Sequence, residues 1–167
     1  MIGMGFLLKC IECEKKYEPA SAGYLCGCGG LLDIYIDIDK TKSKVTLETF
    51  ENHAKGVPPG LSSGVWRYKD LIVPDFDDEA IVSINEGNTR LYEIPQLAQN
   101  LGLESLQIKH EGENPSGSFK DRGMTVAVSR AFQQGAKVIA CASSGNTSAS
   151  MALYAARCGI KALVLVP

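Results

Sequence analysis

The sequence predicts an α/β fold of βαβ units with a parallel sheet, preceded by a small β module. Three observations predict it. From residue 81 onward, short apolar stretches alternate with stretches of helix length, the pattern of strand–helix–strand units. The later strand candidates are apolar throughout, as strands covered by helices on both faces are. Ahead of them, four of the six cysteines fall within nineteen residues, as Cys10-Ile-Glu-Cys13 and Cys26-Gly-Cys28.

The elements follow in order. Residues 1–40 read as two short strands joined by turns, with Lys9 before the cysteines and an apolar run at 31–38 after them. Residues 41–80 read as a linker and anchoring segment. Within it, 39–44 is polar, 45–54 has weak helical character, and Gly56-Val-Pro-Pro-Gly60 breaks the chain. Val65-Trp-Arg-Tyr68 carries the only tryptophan, read as an aromatic anchor, and 74–79 is acidic and loop-like. Residues 81–84 and 91–94 are strand candidates bracketing Asn85-Glu-Gly-Asn-Thr89. A short helix is expected over 95–100, ending near Gly102, then a strand over 106–110. Residues 119–134 have helical spacing, with Gly135 just past the end. A strand over 138–142, an Ala-rich helix over 147–158 and a strand over 162–166 complete the third unit, 81–167.

Composition bounds the function. The 167 residues suffice for one domain, or a domain with a small module, that buries roughly 70% of its unfolded surface. Hydrophobic residues at 45% and charged residues at 22% exclude disorder and fibrous repeats. Lys plus Arg number 17 against 19 acidic residues, so no basic excess exists to neutralise a nucleic-acid backbone. Apolar runs are far shorter than a membrane span. Residues 1–10 lack the basic flank and long apolar core of a signal peptide, so a cytoplasmic location is expected.

In that compartment disulfides are rare, and a clustered cysteine quartet reads as a metal site. Two short pairs on two turns can converge four thiolates on one structural zinc, here Cys10, Cys13, Cys26 and Cys28. Gly27, Gly29 and Gly30 suit a turn curling around an ion. Cys141 and Cys158 read as small buried hydrophobes.

Two further stretches carry chemistry. At Ala142-Ser-Ser-Gly-Asn-Thr-Ser148 a strand runs into a polar loop and then a helix. Free N–H groups and the helix dipole there form an anion site, with hydroxyls from Ser143, Ser144 and Thr147. Plain helix capping accounts for the same residue types. The loop carries neither Gly-x-Gly-x-x-Gly nor a P-loop lysine. The second stretch, Glu111-Gly-Glu-Asn-Pro-Ser-Gly-Ser-Phe-Lys-Asp-Arg-Gly123, opens a helix near Lys120. A lysine in a first helical turn faces the positive dipole end, which favours the neutral, nucleophilic amine. A solvated surface lysine has the same sequence appearance.

Asn114-Pro-Ser-Gly-Ser-Phe-Lys-Asp-Arg-Gly-Met124 followed by Ser143-Ser-Gly-Asn-Thr-Ser-Ala-Ser150 resembles the threonine synthases of the fold-type II pyridoxal-phosphate enzymes, with their tryptophan synthase β-like fold. The cysteine-rich start, Gly29-Gly-Leu-Leu32, Val65-Trp-Arg-Tyr68 and Glu86-Gly-Asn-Thr89 resemble the ribbon-bearing branch. Arg90 stands where that family usually has proline, and the second cysteine pair is short.

The resemblance implies residue roles. Lys120 would hold pyridoxal 5′-phosphate as an internal aldimine and shuttle protons, with Phe119 beside the cofactor ring and Asn146 bonded to its 3′ oxygen. Ser143, Ser144 and Thr147 would hold the substrate carboxylate, and Asn88 and Thr89 would line the pocket. The implied reaction takes O-phospho-L-homoserine and water to L-threonine and phosphate. Cysteate synthase and threonine dehydratase share the fold and stay open as alternatives, as does a non-catalytic ribbon module of another class. The resemblance also implies that the cofactor-phosphate loop and the pyridine-nitrogen partner lie in a second half. The chain thus reads as the N-terminal part of a larger enzyme, an oligomer when complete and inactive alone.

Overall fold

The computed structural model describes residues 6–19, 23, 25–42, 45–57, 60–74 and 76–167. The proline pair of the expected chain break (58–59), the end of the polar stretch (43–44), position 75 and the first five residues lie outside the described residues.

The elements in chain order are β1 (Phe6–Cys10), β2 (Lys16–Tyr17), β3 (Leu32–Ile36), α1 (Ile38–Thr41), α2 (Leu47–Ala54), α3 (Lys69–Ile72), β4 (Leu91–Glu93), α4 (Pro95–Asn100), β5 (Gln107–Lys109), α5 (Lys120–Gln133), β6 (Val138–Ala142), α6 (Asn146–Cys158) and β7 (Lys161–Leu165). Strands β2, β1 and β3 form an antiparallel sheet in that order, one strand more than the sequence suggests. Its cysteines sit where β1 ends and in the turns beyond. Helix α2 starts at a Thr46 capping box closed by Thr49.

The parallel βαβ reading holds for β6–α6–β7, with Val138 opposite Lys161 and Ala142 opposite Leu165. It fails for β4 and β5, which pair antiparallel, Leu91 against Lys109. The six-residue α4 between them is too short for a crossover connection. Residues 81–84 form no strand. Helix α5 takes both backbone groups of Val82 instead: Val82 N–H donates to Ser129 Oγ at 2.8 Å, and Thr125 Oγ1 donates to Val82 O at 2.7 Å. Thr125 and Ser129 lie four residues apart, so both hydroxyls share one helix face. Nor is the β6–β7 sheet covered on both faces. Ile139 and Cys141 are half-buried while Val138, Ala140 and Ala142 are exposed, and β7 is exposed throughout.

Among the described residues two apolar clusters form the interior. Leu61, Val65, Trp66, Val73, Phe76 and Ala80 make one; Val82, Val128 and Tyr154 make the other, with Met124, Ile139 and Cys158 against it. Trp66 is fully buried, and its indole N–H donates to Thr125 Oγ1 at 2.7 Å. The tryptophan is an anchor, joining residues 60–80 to α5.

Candidate functional site

Lys120 occupies the first position of α5. Its N–H donates to Ser118 Oγ at 3.2 Å, so a buried serine two residues back starts the helix. The Lys120 amine lies 4.8 Å from the centroid of the Phe119 ring, and that ring is exposed. Asp121, fully buried, faces inward. Its carboxylate accepts Ser116 N–H at 2.7 Å, Ser116 Oγ–H at 2.5 Å and Ser150 Oγ–H at 2.5 Å.

Ser150 belongs to α6, and through it the second candidate loop meets the first. Ser143 N–H pairs with Leu165 O at 3.1 Å, continuing the parallel ladder. Gly145 N–H then donates to Ser143 Oγ at 3.2 Å, and Ser148 Oγ–H to Gly145 O at 2.8 Å. Gly145 caps the helix without a side chain, so the first-turn N–H groups of Asn146 and Thr147 face out of the helix end. A Cβ at Gly145 would meet no atom within 4 Å. The space in front of this N-terminus is open, and Ser144 and Asn146 are exposed to it. The Asp121–Ser150 bond therefore sets two helix starts side by side, one bearing Lys120 and the other Asn146 and Thr147.

The loop of Asn88 and Thr89 is held from below. Asn88 is exposed, with φ of 51°, and its amide donates to Ser62 O at 3.3 Å. Thr89 is buried, and its hydroxyl donates to Glu111 at 2.9 Å. Glu111 is also gripped by Arg122, whose Nε and Nη2 lie 2.8 and 2.9 Å from its two oxygens. Asn114 joins the loop to the motif: its amide donates to Glu111 O at 2.7 Å, and its oxygen accepts Gly87 N–H at 2.9 Å. Deeper in, the fully buried Glu86 accepts from Ser83 Oγ, Ile84 N–H and Tyr154 Oη at 2.9–3.1 Å. Burial, then the Glu86 charge, raises the Tyr154 hydroxyl far above the ordinary tyrosine range, so it keeps the hydrogen it donates to Glu86.

Sequence reasoning singles out none of Glu86, Glu111, Arg122 and Asp121 as functional. All four stand within the motifs quoted above; their roles became visible only when the chain folded them together. The Arg122 hydrogen bonds, opposed by burial and aided by Thr89 and Asn114, hold the Glu111 carboxyl down at about 2. A carboxyl lowered in the folded state adds stability above its unfolded pKa, near 4.3, and loses it as pH falls toward 2. Arg122→Met is expected to cost about 1–2 kcal/mol at pH 7, the low end for charged hydrogen bonds because both side chains are partly exposed. It should also flatten the loss of urea stability between pH 4.5 and 2.5. An unchanged pH slope would show that this pair is not what acid breaks.

The four clustered cysteines form a second centre. Their sulfurs all lie within 4.8 Å of one another, with Cys10–Cys28 at 3.6 Å, Cys13–Cys26 at 3.5 Å and Cys13–Cys28 at 3.6 Å. Four thiolates at about 2.3 Å from one tetrahedral ion stand about 3.8 Å apart, so the set fits a metal. None of the four is in a disulfide. The Cys28 N–H, then the Tyr17 hydroxyl, draw the Cys26 thiol down to about 6. The Gly30 N–H also lowers Cys28, yet the three other sulfurs outweigh it and push that thiol up to about 12. The Gly30 backbone packs closely on one ligand, since a Cβ there would stand 2.8 Å from Cys10 Sγ, while Cys13 and Cys28 are exposed.

With this geometry in place, comparison with known proteins decides the family. The model of the family described as pyridoxal-phosphate dependent enzyme matches residues 82–167, the stretch that carries both helix starts. The chain belongs to this pyridoxal-phosphate dependent enzyme family. Over 161 residues, 96% of its length, it is 47% identical to a threonine synthase of Methanocaldococcus jannaschii, covering 38% of that protein. It is 42% identical over the same share to a threonine synthase of Methanosarcina acetivorans, covering 36%. A threonine synthase of Synechocystis is 45% identical over 120 residues, 68% of this chain and 31% of the relative. The chain thus spans less than two fifths of the length of these relatives. No helix among the described residues is long and apolar enough to cross a membrane.

Proposed function

We propose that this chain is part of a threonine synthase, converting O-phospho-L-homoserine and water to L-threonine and phosphate. The observation that carries this is the likeness to threonine synthases over 96% of the chain, cysteine cluster included. The residues fit the family's cofactor. An amine stands at one helix start, an exposed aromatic ring lies beside it, and an open helix N-terminus is held next to both. When bound, pyridoxal phosphate supplies an electron sink for carbanion chemistry.

The chain's own residues do the rest. The Lys120 amine would hold the cofactor, take the proton from the substrate Cα and serve the later proton transfers. Phe119 would pack beside the cofactor ring, and Asn146 would donate to its 3′ oxygen. Ser143, Ser144 and Thr147, with the outward N–H groups of the α6 start, bind the substrate carboxylate. Asn88 and Thr89 border the pocket, Thr89 through the loop that its inward hydroxyl anchors on Glu111. We place the groups for the cofactor phosphate and ring nitrogen in the part of the relatives that this chain does not cover. Residues 1–40 then form a ribbon module, 41–80 a linker with an anchoring tryptophan, and 81–167 the N-terminal part of the catalytic fold. We read the complete enzyme as cytoplasmic and oligomeric.

The test is product analysis with O-phosphohomoserine on a chain extended to the relatives' length. Threonine and phosphate in equal amounts are expected. No phosphate release from O-phosphohomoserine, together with deamination of threonine supplied in a parallel assay, would point to a dehydratase instead.

The cysteine cluster is proposed to hold one structural zinc, because four thiolates leave no open coordination position for chemistry. Elemental analysis should find one zinc per chain, falling to less than a tenth in Cys13→Ser/Cys26→Ser. Four freely titrating thiols in zinc-grown protein would remove the idea. Metal loss should melt β1–β3 first, since three short strands offer little core of their own.

A further inference from the structure

We propose that Tyr17 is an outer partner of the metal-binding sulfurs, donating its hydroxyl hydrogen to Cys26 and thereby fixing and tuning that ligand. The inference rests on the four-cysteine reading above. Tyr17 Oη lies 3.0 Å from Cys26 Sγ, and Gly27 N–H donates to the same hydroxyl oxygen at 3.3 Å. With its oxygen accepting from Gly27, the phenol directs its hydrogen at the sulfur. A metal-bound thiolate carries no hydrogen of its own, so the donor in the loaded site can only be the tyrosine.

The strand register makes this contact a built feature. Tyr17 pairs with Leu8 and Lys16 with Lys9, so β2 is hydrogen-bonded to the strand that ends in Cys10. Chain entry to the first cysteine and the position of the phenol are set by one piece of backbone. Lys15 Nζ lies 5.3 Å from the centroid of the Tyr17 ring, and a cation over the ring strengthens the phenol as a donor.

The charge balance explains why the site uses such donors. Four thiolates around a dication leave two negative charges, which hydrogen bonds to sulfur disperse. Cys10 receives the N–H groups of Glu12 and Cys13, at 3.4 and 3.5 Å. Cys26 receives the tyrosine.

The test titrates cobalt(II), then zinc in competition, into the wild-type chain, Tyr17→Phe and the control Tyr35→Phe. Tyr35 lies on β3 opposite Leu7 and carries a lysine over its ring as Tyr17 does. Tyr17→Phe should lower zinc affinity about tenfold, the low end for lost partners of metal ligands. It should also move the sulfur-to-cobalt charge-transfer band to lower energy, because an unbonded thiolate lone pair lies higher. Read at saturating cobalt, band position reports on the sulfur even where folding costs affinity. Tyr35→Phe should change neither. Zinc affinity within twofold of wild type and an unmoved band in Tyr17→Phe would overturn the inference while leaving the metal site standing. A wild-type chain that gives no sulfur-to-cobalt band would overturn both.

Discussion

Lys120→Ala is expected to abolish threonine formation in a chain extended to the relatives' length, lowering turnover by at least about 10³-fold. The residue is asked to do two things, to hold the cofactor covalently and to move protons, and proton transfer alone accounts for 10²–10⁴. Its place supports the size of the effect. It opens α5, its neighbour Asp121 is locked to Ser116 and Ser150, and among the described residues no other lysine stands at the start of a long helix. Lys137→Ala should leave turnover within about threefold. Lys109→Ala removes an amine that donates to Thr89 O at 2.7 Å, so it should loosen the loop without eliminating the reaction. Phosphate release measured on the three variants decides it. Turnover in Lys120→Ala within tenfold of wild type would put the chemistry elsewhere.

Gly64→Ala should be the most damaging small substitution in the fold. A Cβ there would lie 2.1 Å from the Asn88 nitrogen and within 2.7 Å of Gly87 backbone, none of which is a movable side chain. The two segments are also tied by Gly64 N–H to Glu86 O at 2.8 Å, so separating them breaks the support beneath Asn88 and Thr89. Gly87→Ala meets the same wall from the other side, with a φ of +77° added. Each should cost about 4 kcal/mol or more, the range kept for overpacking that cannot relax. Gly123→Ala is the contrast: it lies within α5, a Cβ there meets nothing within 4 Å, and it should stabilise by about 0.5–1 kcal/mol. Urea midpoints of the three variants test the pair of claims. A Gly64→Ala midpoint near wild type would mean that the two loops do not touch in solution.

These sites show what could be read from residue order and what could not. Helix α4, α5 and β6 were legible to within a residue because Pro95 and Gly102 bracket α4, Gly135 follows the end of α5 and the periodicity is clear. The four cysteines were legible because their chemistry and spacing leave few readings. Residues 81–84 misled for a physical reason. An apolar stretch looks like a strand whatever satisfies its backbone, and here two hydroxyls of α5 take the N–H and C=O of Val82 across more than forty residues. The antiparallel β4–β5 pair was hidden likewise, since alternation of strands and helices does not state direction. The network of Glu86, Glu111, Arg122 and Asp121 escaped because each of these residues alone resembles a solvated charge. Tyr17 escaped because its partner sits in another turn, reached through strand register.

The most direct test of the central claim is to load the extended protein with pyridoxal phosphate, reduce it with borohydride and map the modified peptide. A pyridoxyl group on Lys120, in the peptide that continues into Asp121 and Arg122, is the expected result. The same group on Lys109, Lys137 or any other lysine, with Lys120 unmodified, would contradict it.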